Sequence, residues 1–159
     1  YETTSIALTW TFDYLTRHPA VMQALQDEVD GALAGRTPGF ADLPKLPYAR
    51  MVLQEVLRLR PPAYFIPRVA TEDDEIDGFP IPAGSEVVAL TYTIHRHPDV
   101  WSDPDRFDPQ RFADHGPRGS GAPHPFAWIP FGAGQRLCIG RDFAMMEGTL
   151  ALAMIVQRF

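Results

Sequence analysis

The 159 residues carry 45% apolar side chains, the composition of a globular domain rather than of a disordered or fibrous chain. Against 20 acidic residues stand 14 Lys and Arg, a net charge of −6 with no basic stripe, so nucleic acid is excluded as an expected partner. One cysteine excludes an intrachain disulfide and any multi-cysteine zinc site, and no apolar run is long enough to cross a bilayer.

Residues from about Glu2 to Arg17 predict a helix, with Ile6, Leu8, Trp10, Phe12 and Leu15 as its apolar bulk and His18-Pro19 as its stop. Pro19 then opens a second helix reaching about Leu33. A turn-rich stretch from Gly35 to Pro44 leads to Leu46-Pro47 and a third helix from about Tyr48 to Arg60, halted by Pro61-Pro62. Extended segments follow at Tyr64 to Ala70 and Glu86 to Leu90, with an Asp77-Gly78 turn between them. The acidic run Glu72-Asp73-Asp74-Glu75 reads as a solvated turn. A short helix is expected from Thr91 to Ile94.

From His95 to Gln135 the chain is dense in Pro, Gly and Asp, a length of irregular structure uncommon in a compact domain. Trp101, Phe107, Phe112, Phe126 and Trp128 require burial, which predicts a packed meander rather than a disordered segment. Phe143, Met146, Leu150 and Met154 then recur at helical spacing and predict a final helix buried on that face. The expected fold is mainly α (α+β), a helical body beside a small β-sheet.

Chemistry concentrates in Phe131-Gly132-Ala133-Gly134-Gln135-Arg136-Leu137-Cys138-Ile139-Gly140. The glycines permit backbone conformations and close approaches forbidden to other residues. Cys138 falls at or just before a helix N-terminus, where free N–H groups and the dipole favour a thiolate, and Arg136 adds a positive charge. A small buried hydrophobe is the alternative for a lone cysteine. Three other patterns carry two readings each. Glu55 and Arg58 share a helix face and by spacing alone form a solvated surface pair. Glu2-Thr3-Thr4 reads as a polar turn or helix cap. Arg68 interrupts an apolar extended segment, as an edge-strand arginine reaching solvent would. His95 and His97 lack a third ligand and read as structural hydrogen-bonders rather than a metal pair.

Phe131, Gly132, Gly134, Arg136, Cys138 and Gly140 together match the haem-binding signature of the cytochrome P-450 family, and the resemblance runs from the first residue to the last. It implies that residues 1–159 form the C-terminal portion of a single cytochrome P-450 domain whose N-terminal half is missing. That agrees with a chain that begins without methionine and begins and ends inside helical patterns. The resemblance implies haem b, with Cys138 as axial iron ligand pushing electron density toward O–O cleavage. Arg136 and Arg68 would pair with the haem propionates, Phe131 would shield the sulfur, and Gly132 and Gly140 would shape the loop.

In the same terms, Glu55 and Arg58 resemble the family's buried glutamate–arginine pair. Pro109-Gln110-Arg111-Phe112 resembles the segment that supplies a second arginine, Arg111, with Gln110 in place of the usual glutamate. Glu2 and Thr3 resemble the acid–alcohol pair that manages protons for dioxygen, and Ala63, Tyr64, Phe65 and Ile66 would wall the substrate pocket. The implied activity is haem-thiolate monooxygenation of a lipophilic substrate. The implied partners are O2 and a flavoprotein reductase or ferredoxin passing electrons from NAD(P)H, since no nicotinamide fingerprint occurs here. A peroxygenase, a haem-thiolate isomerase and a non-catalytic haem-binding fragment are the alternatives, and Glu2-Thr3 argues against the first two. By itself the fragment is expected to be inactive and to retain haem weakly. The lone thiol is consistent with the cytoplasm, while an N-terminal anchor stays open.

Overall fold

Prolines set the boundary between the first two helices and both ends of the third. In a computed structural model describing residues 2–113 and 124–159, helix α1 spans Glu2–Arg17 and α2 opens at the next proline, Pro19–Leu33. Tyr1 and part of the predicted meander, residues 114–123, lie outside the described residues. Helix α2 closes through Ala34 in the left-handed region (φ 49°), whose N–H returns to the Asp30 carbonyl at 2.9 Å. Helix α3 runs Pro47–Leu59, one residue earlier at each end than expected. Short helix α4 is Thr91–Ile94, and α5 is Arg141–Val156. Single 3-10 turns form at Phe40–Lys45, Pro109–Phe112 and Gly134–Arg136.

The N-terminus of α3 is capped across the chain. Glu28 on α2 accepts from the Tyr48 and Ala49 amides at 2.6 and 2.8 Å, satisfying two of the helix's free donors. Burial pushes the Glu28 carboxyl upward, and those two amides oppose the shift. Nothing local in the sequence signals a cap supplied from twenty residues upstream.

Helix α3 is the axis of the core: every residue from Val52 to Leu59 is buried. Leu15, Leu25, Val29, Leu33, Leu46, Val56, Leu59, Leu152 and Val156 form the main cluster around it. A fully buried side chain of this kind contributes roughly 1.5–3 kcal/mol. The last helix is present as predicted, but its buried face differs. Met145, Gly148, Thr149, Leu152, Ala153 and Val156 turn inward, whereas Phe143 is 62% and Met154 46% exposed. Helix α5 is apolar on most of its surface, so periodicity alone does not choose a face. Gly148 does: a Cβ there would lie 2.7 Å from Leu53 Cδ2, so this bare position lets α3 approach.

The strands form two separate ladders. Strand β1 (Ile66–Val69) pairs antiparallel with β4 (Glu86–Ala89), Arg68 opposite Val87. Strands β2 (Asp74–Ile76) and β3 (Phe79–Ile81) make a hairpin turning through Asp77 and Gly78, both at positive φ (52° and 82°). Half of the predicted acidic turn is therefore strand: Asp74 and Glu75 pair with Ile81 and Pro80, while Asp73 accepts from the Ala83 amide at 2.8 Å.

In the meander, Trp101, Phe112 and Ala127 are buried together with Trp128 packed against them, and Phe107 stacks on Tyr14 at 4.7 Å. Phe126 does not join them. It is 57% exposed beside the His124 ring, because its neighbours Ala127 and Trp128 occupy the inward positions. Among the described residues, no helix is long and apolar enough to cross a membrane.

Candidate functional site

The loop before α5 folds back on itself. Gly132 adopts φ 76°, a conformation that strains other residues, and its Cβ position has ordinary clearance, so backbone angle rather than crowding requires glycine. Gly134 (φ 69°) starts the Gly134–Arg136 turn, and the Cys138 amide then donates to the Phe131 carbonyl at 2.9 Å, closing the loop. Cys138 is a free, exposed thiol three positions ahead of α5, whose N-cap is Gly140.

This loop floors a cavity of about 550 Å³. Thr3, Thr4, Ala7 and Leu8 of α1 face it, with Leu53 and Leu57 of α3 and Ala63, Phe65, Ile66 and Arg68 of the segment entering β1. Phe131, Gly132, Arg136, Cys138 and Gly140 complete the loop's side. Two expected residues stand apart. Glu2 is exposed in the first turn of α1 and is not among the lining groups; Tyr64 is 58% exposed and meets Phe65 edge-on at 4.9 Å. Conversely, Phe143, expected on the buried face of the last helix, and Glu147, not singled out in the sequence, both line the cavity. Their spacing of four residues, which puts both on one face of α5, was the available signal.

The donor set matches the cofactor implied by the resemblance. One thiol, Cys138, lines a largely apolar hollow and is the soft donor there that can ligate as a thiolate. Arg68 and Arg136 stand on its rim without a carboxylate partner among the described residues, leaving both cations free for anionic groups on a bound molecule. Arg68 Nη1 donates only to the neighbouring Pro67 carbonyl, at 2.7 Å.

Beneath the site lies a buried charge network. Glu55 and Arg58 are fully buried and joined by two bonds, Nε to Oε2 at 2.7 Å and Nη2 to Oε1 at 2.9 Å. Arg58 also donates to the carbonyls of His95 (2.9 Å), Pro104 (2.6 Å) and Arg106 (3.2 Å), so all five of its N–H groups are used. Its guanidinium lies 5.0 Å from the Trp101 ring. Glu55 further accepts from the Asp108 amide at 2.9 Å. Arg111 Nε approaches Glu55 Oε1 at 3.4 Å, a charge contact lacking hydrogen-bond alignment, while its Nη2 holds the Asp103 carbonyl at 2.8 Å. The surface-pair reading of Glu55 and Arg58 is thus replaced by a buried knot tying α3 to the meander. Burial pushes the Glu55 carboxyl upward, opposed chiefly by Arg58.

His97 is exposed, its Nδ1 accepting from the Asp99 amide at 3.3 Å, and among the described residues no three His, Cys, Asp or Glu side chains gather as a metal site.

A family model described as Cytochrome P450 matches residues 1–159. Cyclooctatin synthase of Streptomyces melanosporofaciens is 44% identical over 162 residues, covering 99% of this chain and 34% of that protein. Cytochrome P450 3A11 of Mus musculus is 42% identical, covering 100% and 31%, and protein LUTEIN DEFICIENT 5, chloroplastic, of Arabidopsis thaliana is 38% identical, covering 100% and 27%. The chain spans about a third of the length of the curated relatives it matches.

Proposed function

The chain belongs to the cytochrome P450 family, and from that premise we propose that it is the haem-thiolate part of a monooxygenase acting on a lipophilic organic substrate. The supporting observation is the convergence of Cys138, Arg68, Arg136 and Thr3 on one apolar cavity. The chemistry supplied by bound haem b is reductive activation of O2, with one atom entering the substrate and the other leaving as water.

Each residue has a separate task. Cys138 holds the iron through its sulfur, and Phe131 keeps water from that sulfur. Arg68 and Arg136 would pair with the two carboxylates of the cofactor and neutralise them. The Thr3 hydroxyl holds a proton-bearing water on the α1 side, and Glu2, exposed in the first turn of α1, exchanges protons with solvent. Ala63, Phe65 and Ile66 exclude bulk water and bind apolar substrate, with Tyr64 as an outer neighbour. Electrons come from NAD(P)H through a flavoprotein reductase or a ferredoxin.

The test is turnover of the complete protein under 18O2 with NADPH, a reductase and a panel of terpenes, steroids and fatty acids. One labelled oxygen per product is expected, and Thr3→Ala should keep consuming NADPH while product falls and hydrogen peroxide rises. Product labelled from water, or an unchanged product-to-NADPH ratio in Thr3→Ala, would contradict the reading.

A further inference from the structure

We propose that His95 is a positioning residue for Cys138, a neutral imidazole that ties the cysteine's loop to the end of α3. The proposal rests on the reading of Cys138 as the iron ligand. His95 is completely buried, and both ring nitrogens are engaged: Nδ1 lies 3.2 Å from the Arg58 carbonyl and Nε2 lies 2.8 Å from the Ile129 amide. An amide can only donate, so Nε2 is the acceptor and Nδ1 carries the proton given to Arg58. Only one tautomer of the neutral ring makes both bonds.

The two bonds join elements distant in sequence. At one end is α3, where Arg58 also donates back to the His95 carbonyl at 2.9 Å. At the other end Ile129 begins the cysteine loop: its carbonyl accepts from Gly132 at 3.0 Å, and the Phe131 carbonyl accepts from Cys138 at 2.9 Å. The buried Glu55–Arg58 knot therefore reaches the cysteine loop through the His95 ring, alongside the Trp128 indole, whose N–H bonds the Gln54 carbonyl at 3.3 Å. Arg58 and Arg96 are the charged groups acting on the imidazole, and both disfavour a second proton there. Losing the Ile129 bond removes one of the restraints on the segment that carries Cys138, and the sulfur would then be held less firmly toward a bound iron.

The experiment compares His95→Asn with His95→Gln in the complete, haem-loaded protein. Asparagine reproduces the donor to Arg58 but is too short to reach Ile129; glutamine reaches it. For His95→Asn we expect haem affinity lower by roughly tenfold or more, partial loss of the red-shifted thiolate band of the reduced carbon monoxide complex, and a more positive reduction potential. His95→Gln should restore all three toward wild type. Two folded variants that behave alike, or an asparagine variant with wild-type band and potential, would overturn the proposal. A wild-type protein lacking the thiolate band would instead remove the reading of Cys138 on which it rests.

Discussion

Arg58 makes a sharp test of the buried network because its five donors have five identified acceptors. Lysine keeps the charge but has three donors, so Arg58→Lys leaves at least two of those acceptors without a partner. At about 1 kcal/mol for a neutral acceptor and about 1.5–3 kcal/mol for a charged one, Arg58→Lys should cost about 3 kcal/mol. Arg58→Met removes the charge as well and leaves the buried Glu55 carboxylate only the Asp108 amide and the poorly aligned Arg111, a loss of roughly 3–5 kcal/mol. Urea titration of the apo forms of the complete protein, followed by far-ultraviolet circular dichroism, measures both. The Asp108 amide bond to Glu55 survives both changes, so the loss should appear first in the meander, as faster amide exchange around Arg106. An Arg58→Lys protein within about 0.5 kcal/mol of wild type, inside the range of ordinary surface substitutions, would refute the assignment of five structural bonds.

His95 predicts an acid-sensitive stability. Burial lowers its pKa from 6.5 to about 4, so the unfolded chain binds more protons in that window and stability falls as pH drops from 6.5 toward 4, by roughly 3 kcal/mol in total. Below about 4 this contribution stops changing; the slope of unfolding free energy against pH should be shallower in His95→Gln. Removing the rim cations is expected to affect the cofactor rather than the fold: Arg68→Ala and Arg136→Ala should each speed haem transfer to apomyoglobin about tenfold, the lower end for groups that support a metal site, with unchanged apo-protein denaturation midpoints.

The backbone was legible where chemistry is local. Pro19 and Pro47 mark helix starts, Asp77-Gly78 marks the hairpin, and the predicted spans of α1, α2 and α4 coincide with the observed ones. Charged pairs were legible only through resemblance, because three-residue spacing on a helix cannot distinguish a solvated Glu55–Arg58 pair from a buried one. Burial there depends on carbonyls from His95, Pro104 and Arg106, nearly forty residues or more away. The inward face of α5 was hidden for the converse reason. Its apolar residues surround the helix, and the selecting feature is the absence of a side chain at Gly148. Glu28 capping α3 and His95 holding Ile129 are likewise long-range bonds to backbone amides, which leave no periodic trace.

The central claim is that Cys138 ligates the iron, and the carbon monoxide difference spectrum of the reduced, complete protein tests it most directly. A thiolate-ligated complex absorbs far to the red of a histidine-ligated one. The account predicts that red-shifted band in the wild type and its loss in Cys138→His with haem still bound; an unshifted wild-type band, or a shifted band surviving in Cys138→His, would contradict it.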